Sequence, residues 1–387
     1  MPTFISNPLR ARLPIVALFV SLSTVACAQP QPEPRTGDEI FIVEPVVGGL
    51  EHVWAMAFLP NGDMLVTERP GRLRVVRDGA VDAEPVSGVP AVHAQGQGGL
   101  LDVILHPDFA SNSIIYLSYS KPVGDNSTTA VARARYEDGA LLDVEDIFVA
   151  QSEGRGHYGS RLAFDAAGYL FITVGDRQAP PRGDLSAHPA QQLTDHHGTV
   201  IRLHDDGRIP QDNPFVGQAN ALPEIWSWGH RNAQGLAVHP VTDQVWLNEH
   251  GPQGGDELNL VQPAQNYGWP VIGYGVNYGG SELHDTTQKE GMTQPVYYWV
   301  PSIATSGLLI YTGEAFPEWD GNFFVGGLAG QQLARLTMDG QEVVSEETLL
   351  KDIGRVRDVR QGPEGYVYVA LDSPGGSPSI VRLVPKP

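Results

Sequence analysis

The sequence is short of cysteine. Cys27 is the single cysteine among 387 residues, and it lies near the amino terminus. A domain built from the rest of the chain therefore has no internal disulfide bond, no thiolate metal site and no nucleophilic thiol. Its stability must come from a hydrophobic core.

Positive charge is also scarce. The chain has 25 lysine and arginine residues against 45 aspartate and glutamate residues, a formal net charge of −20. The summed field repels phosphate backbones and anionic membrane surfaces, so we expect no nucleic-acid partner. The excess of carboxylates favours divalent cations, although on most acidic secreted proteins it is simply a solvated surface.

The first apolar run is too short to span a bilayer, so no membrane span is predicted. It extends from Leu13 to Val20, follows Arg10 and Arg12, and precedes a stretch of small residues. This pattern predicts a signal peptide over residues 1–28 and a periplasmic or secreted protein.

The residues after the signal predict a short tether and one domain. Residues 29–38 are rich in proline and glutamine, which is typical of a linker, and residues 39–387 form the expected domain. Cleavage after Ala28 and a lipid anchor on Cys27 both remain open. Thr24 stands where lipoprotein sites favour leucine, which weakens the second alternative.

One phrase recurs along the chain: an apolar residue, a turn with proline, glycine, aspartate or asparagine, and then an alternating β-type run. Several copies are followed by a second β-type run, such as GRLRVVRDG or GTVIRLHDDG. The six copies begin at Phe58, Leu105, Phe164, Val238, Phe316 and Gln361.

The repeat predicts an all-β fold, a six-bladed β-propeller of four-stranded antiparallel sheets. A small sheet cannot bury both of its faces alone, and radial packing around a channel solves that problem. A β-sandwich with coincidental turn motifs is the alternative, but a sandwich needs no phrase repeated in the same internal order. The longest gaps, Gln178 to Thr194 and Gln265 to Gln294, are expected to carry binding function.

Four segments hold polar residues that a structural role does not obviously require. Each lies just before a repeat phrase or at its end, so in a propeller they should converge on one mouth of the channel. The segments are AQGQGGLLDV with Gln97, RGHYGSRLAF with His157, WSWGHRNAQGLAVHP with Arg231 and Asn232, and NEHGPQGGDELNLV with His250 and Glu257.

Two of these residues suit acid–base chemistry. His157 lies between glycines and is a candidate general base near neutral pH, or a turn histidine bonded to a carbonyl. Asp176, at the end of the following predicted strand, either fixes the tautomer of that imidazole or forms a turn.

Other candidates suit anion and calcium binding. Arg231 lies among aromatic residues, where a guanidinium clamps a carboxylate or makes a structural ion pair. Glu257 and Tyr267 border a turn-rich stretch whose oxygens either bind calcium or cap turns. The sequence has no HExxH motif, Walker loop or strand-linked GxGxxG, which disfavours zinc and nucleotide cofactors.

Five segments together carry a family resemblance: GQGGLLDVILHPDF, the His157 segment, WSWGHRNAQGLAVHP, EHGPQGGDELNLVQPAQNYGWP and the late RVRDV. The chain resembles the soluble quinoprotein glucose/sorbosone dehydrogenase family, and most closely its aldose sugar dehydrogenase branch. The resemblance covers nearly the whole mature chain. It implies a six-bladed propeller that holds pyrroloquinoline quinone (PQQ) and calcium and oxidises aldose sugars to aldonolactones, with an electron acceptor that the sequence does not identify.

The resemblance also implies roles for individual residues. His157 would take the proton from the C1 hydroxyl while hydride passes to C5 of the quinone, with Asp176 and Arg231 as its catalytic partners. The cofactor would be held by Gln97, His157, Arg231, Asn232, His250, Arg335, Arg355 and Arg357. The carbonyls of Gly251 and Pro252 would bind the calcium that polarises the quinone, and a separate structural calcium would lie at Glu257 and Tyr267.

Two positions depart from the glucose dehydrogenase branch. His250 stands where that branch has glutamine, and Ala329 stands near its cofactor-binding lysine. Two other functions remain open at this stage: a calcium-dependent propeller lactonase and a non-catalytic extracellular binding propeller.

Overall fold

The structure, a computed structural model, describes residues 1, 3, 35–36, 40–284, 286–376 and 378–387. Cys27, the rest of the predicted signal peptide apart from residues 1 and 3, and most of the predicted tether lie outside the described residues. No helix in the described ranges is long and apolar enough to cross a membrane.

Short strands make up most of the described chain. The first thirteen are β1 (Arg35–Thr36), β2 (Phe41–Val47), β3 (Val53–Phe58), β4 (Met64–Glu68), β5 (Arg72–Arg77), β6 (Ala80–Val81), β7 (Leu100–Leu105), β8 (Ile114–Val123), β9 (Asn126–Glu137), β10 (Ala140–Val149), β11 (Leu162–Phe164), β12 (Leu170–Val174) and β13 (Thr199–Leu203). The others are β14 (Ile225–Trp228), β15 (Ala233–Val238), β16 (Val245–Glu249), β17 (Asp256–Val261), β18 (Tyr297–Trp299), β19 (Thr305–Ile310), β20 (Phe323–Gly327), β21 (Gln332–Asp339), β22 (Glu342–Leu349), β23 (Val356–Gln361), β24 (Val367–Leu371) and β25 (Ile380–Pro385).

Helical segments within the described ranges are single turns. One α-helical turn, α1, spans Phe109–Asn112, and 3₁₀ turns span Leu185–Ala187, Pro189–Gln191 and Pro317–Trp319. Two of the 3₁₀ turns lie in the Gln178 to Thr194 insertion.

The strands form six sheets, and the predicted six-bladed propeller is confirmed. Blades 1 to 4 are β3–β6, β7–β10, β11–β14 and β15–β18, each antiparallel and in chain order. Blade 5 is β19–β22, and β1 joins its outer edge in parallel, so Arg35 and Thr36 of the predicted tether belong to a strand. Blade 6 combines β23–β25 with β2, so an early strand completes the last blade.

The first strand of each blade lies innermost. These strands contact one another in the circular order β3, β7, β11, β15, β19 and β23, and β23 returns to β3. Second strands such as β12, with the sequence LFITV, are buried along their whole length because each blade is covered by a neighbour on both faces.

The repeated phrase marks one place in every blade. Each copy covers the turn from the first strand to the second, and the second β-type run becomes the third strand, as in β5, β9, β13, β21 and β25. First strands therefore begin, and second strands end, at the opposite end of the channel from these turns. We call that end the mouth.

Four charged side chains fill the centre of the ring. Asp102 and Arg161 are 0% and 1% exposed, and Asp358 is 1% exposed. Arg161 Nη1 lies 3.3 Å from Asp102 Oδ1 and 2.9 Å from Asp358 Oδ1. Arg360 pairs with the same two carboxylates at 2.9 and 3.0 Å. We call these four residues the central cluster.

The central cluster also binds backbone groups of neighbouring blades. Asp102 of blade 2 accepts a hydrogen bond from the N–H of Leu162 in blade 3, and Asp358 of blade 6 accepts one from Met56 in blade 1. Arg161 donates to the carbonyl of Gln234 in blade 4. Five of the six blades are thus joined at the centre.

Replacing Arg161 with methionine tests this closure. Removing one partner of a buried ion pair leaves uncompensated charge, so we expect the free energy of unfolding to fall by about 3–5 kcal/mol. Denaturant unfolding measures the change. Arg208→Met, which breaks an exposed pair with Asp206, is the control and should leave the midpoint unchanged. An Arg161 variant as stable as this control would show that the central cluster does not hold the ring together.

Candidate active site

A cavity of about 240 Å³ opens at the mouth. We call it the mouth pocket. It brings together five residues that the sequence predicted, namely Gln97, His157, Asp176, Arg231 and Pro252. The predicted convergence of separate segments is therefore present in the fold. Both long insertions contribute to the lining as well, through residues such as Gln178, Pro181, Asn277, Tyr278 and Leu283.

A larger groove, of about 690 Å³, lies between blades 6 and 1. Its arginine, Arg382, already pairs with Glu44 and Glu364 at 2.8 and 3.4 Å. Among the described residues that line the groove, the one arginine is already paired and no histidine occurs, so the mouth pocket is better equipped for acid–base chemistry.

His157 is held in an unusual backbone conformation. Its φ is 44°, in the left-handed region that residues with a side chain rarely adopt. The segment lies so close to the following strand that a Cβ on Gly175 would be 2.2 Å from the His157 carbonyl oxygen. The N–H of His157 donates to Gln97 Oε1 at 2.7 Å. Gln97 thus fixes the backbone of the candidate base.

Asp176 fixes the ring of His157. The carboxylate lies 2.6 Å from Nδ1, accepts a hydrogen bond from the indole N–H of Trp269 at 2.8 Å, and is itself buried. This partner favours the tautomer with its proton on Nδ1, so Nε2 carries the free lone pair. The imidazole is 7% exposed.

The pKa values of the pair shift in the direction that a base needs. Burial lowers the pKa of His157 below 6.5, although the charge of Asp176 opposes the shift. Burial works to raise the pKa of Asp176, but the nearby His157 and the charge of Arg231 hold it below its usual range. The pair is therefore a neutral imidazole beside a carboxylate at neutral pH.

Arg231 and Asn232 lie on the turn that leads into β15. The Arg231 guanidinium donates to the carbonyls of His250 and Gly251 at 3.2 and 2.8 Å and lies 5.1 Å from the ring of Trp269. Asn232 Oδ1 accepts a hydrogen bond from the N–H of Gly159, two residues after His157. Both side chains brace the mouth pocket.

Positive groups collect behind the pocket. Arg357 donates to Gln234 and lies 3.4 Å from Asp372, and burial lowers its pKa to about 10. Arg355 is half exposed and lies 3.7 Å from the same carboxylate. Burial, with the charges of Arg231 and Arg357, holds the pKa of His250 well below 6.5.

Three buried nitrogens of this group have no hydrogen-bond partner among the described residues. They are the Nε atoms of Arg231 and Arg357 and Nε2 of His250. Other buried arginines of the described residues, such as Arg177 and Arg202, also have an unpartnered Nε, so the three nitrogens here show only that donors near the pocket are available to a polar ligand.

Arg335 does not join them. It lies in the third strand of blade 5 and is bound to Glu347 and Asn322. The sequence resemblance suggested a cofactor-binding role, but this side chain is occupied by a pair between two outer strands. The structure therefore does not bring Arg335 to the mouth pocket.

The predicted calcium positions surround a second cavity of about 20 Å³, large enough for a water molecule or an ion. Gly251, Pro252, Glu257 and Tyr267 all line it. Burial, with the charge of Glu249, raises the pKa of Glu257 well above its usual value. In the part of the chain that the structure describes, no cation pairs with Glu257.

The oxygens available at this cavity are backbone carbonyl oxygens as well as the carboxylate oxygens of Glu257. No three histidine, cysteine or acidic side chains of the described residues converge on one point. An ion here would therefore depend on backbone carbonyls as well as on Glu257, which is a donor set that calcium accepts.

Two aromatic residues of the pocket were not singled out from the sequence. Trp269 binds Asp176 and lies beside Arg231, and Tyr278 lines the pocket with 76% of its surface exposed. Both lie in the Gln265 to Gln294 insertion, which was expected to carry binding function without either residue being named. Aromatic residues within that gap were the available signal.

Comparisons with known proteins confirm the resemblance read from the sequence. Residues 50–382 match the family described as Glucose / Sorbosone dehydrogenase. The chain is 44% identical over 354 residues to aldose sugar dehydrogenase YliI of Escherichia coli (strain K12), a match covering 89% of this chain and 93% of that protein.

Solved structures agree. The soluble aldose sugar dehydrogenase of Escherichia coli in its apo-form superposes with a TM-score of 0.85 at 42% identity, covering 89% of this chain and 100% of that chain. The PQQ-bound form of aldose sugar dehydrogenase from Streptomyces coelicolor gives a TM-score of 0.75 at 26% identity, covering 92% and 100%.

The electrostatics of His157 lead to a prediction about its titration. We expect its NMR-detected pKa to lie below 6.5, and to fall further in Asp176→Asn because the carboxylate charge stabilises the imidazolium. The His157 signal is identified by its loss in His157→Ala. The control Asp184→Asn, in the Gln178 to Thr194 insertion, should leave the pKa of His157 unchanged. A higher pKa in Asp176→Asn would contradict the pairing.

Proposed function

Since this chain belongs to the glucose/sorbosone dehydrogenase family, we propose that this oxidoreductase oxidises aldose sugars at C1 to aldonolactones with PQQ and calcium. One observation carries the proposal. It is the neutral, buried His157, fixed by Asp176 at 2.6 Å, in a pocket that also holds Arg231.

The residues around the mouth pocket suit a flat cofactor that carries several carboxylates. Arg231, Arg355 and Arg357 supply positive charge. The buried Nε atoms of Arg231 and Arg357 have no hydrogen-bond acceptor among the described residues. Guanidinium groups bind carboxylates in a planar, two-pronged geometry. We assign cofactor binding to these arginines together with Gln97, Asn232 and His250, and we leave Arg335 out.

The cofactor and the protein side chains supply different parts of the chemistry. PQQ, when bound, supplies the acceptor for the hydride that leaves C1. His157 Nε2 takes the proton of the C1 hydroxyl, and the Asp176 carboxylate stabilises the resulting imidazolium. Arg231 places a positive charge beside the reacting oxygen.

Calcium has two proposed places. One is at the carbonyls of Gly251 and Pro252, where an ion would act as a Lewis acid on the cofactor; the Gly251 carbonyl also accepts a hydrogen bond from Arg231. Glu257, which has no partner cation, and Tyr267 would hold a structural ion in the small cavity.

The surroundings of the protein are also proposed. The signal peptide predicted over residues 1–28 supports a periplasmic location. The mouth pocket does not identify the electron acceptor. The lipid anchor at Cys27 stays a prediction.

Replacing His157 with alanine tests the base. We expect kcat to fall by roughly 10²–10⁴-fold with PQQ and calcium present, while cofactor binding persists, because only proton transfer is lost. Dye reduction with glucose or arabinose measures turnover. His197→Ala removes another His–Asp pair of blade 3, which lies outside the pocket, and should be fully active.

The protonation of His157 should also determine how kcat/KM depends on pH. Because the neutral imidazole is the active form and its pKa lies below 6.5, kcat/KM should be level above pH 6.5 and decline in more acidic buffer. An inflection well above pH 7 would argue against His157. Lactone hydrolysis without the quinone would instead favour a hydrolase.

Replacing Glu257 with glutamine tests the structural calcium. Without quinone, calcium at about 100 times its Kd should stabilise the parent protein by about 2–3 kcal/mol, and a chelator should remove that gain. Glu257→Gln should respond to neither. The control Glu145→Gln changes an exposed carboxylate on β10. A calcium response that is the same in all three proteins would exclude Glu257 as a ligand.

A further inference from the structure

Arg177 is a buried arginine beside the catalytic pair. It follows Asp176 directly and is 4% exposed. In the part of the chain that the structure describes, no carboxylate forms an ion pair with it. A buried guanidinium without an ion-pair partner is costly, so its hydrogen bonds must explain its place.

Those hydrogen bonds all go to the backbone around His157. Nη1 donates to the carbonyls of Gly156 and His157 at 2.6 and 2.9 Å. Nη2 donates to the carbonyls of Gly154 and Ser127 at 2.9 and 3.2 Å. One planar group therefore binds three carbonyls of the segment that carries the candidate base, and a fourth on β9.

The guanidinium also stacks on the residue next to His157. Its Cζ lies 3.9 Å from the centre of the Tyr158 ring, and the Tyr158 hydroxyl lies 2.6 Å from Ser127 Oγ. Arg177 and Tyr158, which we together call the clamp, thereby connect the His157 segment to blade 2 as well as to blade 3.

The segment needs such a clamp because its backbone is strained. His157 and Ser160 have φ of 44° and 76°, and on the other side Arg177 and Gln178 have φ of 56° and 60°. Residues with side chains avoid this region unless surrounding contacts impose it. The carbonyl bonds of Arg177 are contacts of that kind.

We propose that Arg177 is a positioning residue that holds His157 in the conformation needed for proton transfer. The proposal rests on the proposed function, since it takes His157 as the base. It goes beyond that function by assigning a role to Arg177, which is not among the described residues that line the mouth pocket.

The charge of Arg177 adds a second, separable effect. The charged or titratable groups facing His157 are Asp176, Arg231, Arg177 and His250. The positive charge of Arg177 helps to lower the pKa of His157, after burial and alongside Arg231. Removing that charge should raise the pKa, whereas a merely structural residue would leave it unmoved.

Two substitutions separate geometry from charge. Arg177→Lys keeps the charge but loses the planar fork, so kcat should fall about 10–100-fold while the pKa of His157 stays in place. Arg177→Met loses both, so kcat should fall as far and the acid limb of kcat/KM should move to higher pH. KM for the sugar should change less than threefold in either variant.

Arg202→Lys is the matched control. Arg202 is also buried in blade 3, stacks on Tyr169 at 3.7 Å and contacts no residue of the mouth pocket. It should lower the melting temperature without changing kcat. NMR titration of His157 in the quinone-free protein gives a readout independent of turnover, and thermal melting shows that each variant is folded.

The outcomes are distinct. Wild-type kcat in folded Arg177→Lys, beside an inactive His157→Ala, would overturn this proposal alone. An equal loss of kcat in Arg202→Lys would also overturn it, because the loss would then reflect general destabilisation. Turnover that survives in His157→Ala would overturn the proposed base and this proposal with it.

Discussion

Closure of the ring at its centre is the constraint on which the rest of the structure depends. A propeller is held by contacts between neighbouring blades, and its inner strands leave a channel that must be filled. Here the central cluster fills it with two carboxylates and two guanidinium groups that reach across five blades. At the outer edge, β2 completes blade 6 and closes the ring a second time.

The active site is built directly on that closure. Arg161 of the central cluster lies only four residues after His157, so the segment that carries the candidate base is anchored below by Asp102 and Asp358. Gln234 makes a similar link, since its carbonyl binds Arg161 and its side chain binds Arg357. Strain at His157 is tolerated because both ends of its segment are held.

Local charge at the mouth opposes the charge of the whole protein. The chain carries a net charge of −20, yet Arg231, Arg355, Arg357 and a neutral His250 gather around the site. Burial gives the charges of Arg231 and Arg357 more weight than many solvated carboxylates, because solvent screens the latter. An anionic cofactor is therefore compatible with an acidic protein.

Local sequence determined the blades, because each needs only an apolar anchor, a turn and a β-type run at short range. The six phrases lie at equivalent turns, and the GHRN and NEHGPQGG segments lie at the mouth, because strand direction alone decides which end a turn occupies. Side-chain partners were decided by the tertiary structure. Arg335 had the right residue type for an anion site but faces Glu347, and Arg177 carried no motif at all. Which groups a buried guanidinium meets depends on chain segments that are far apart in sequence, and only the closed ring brings them together.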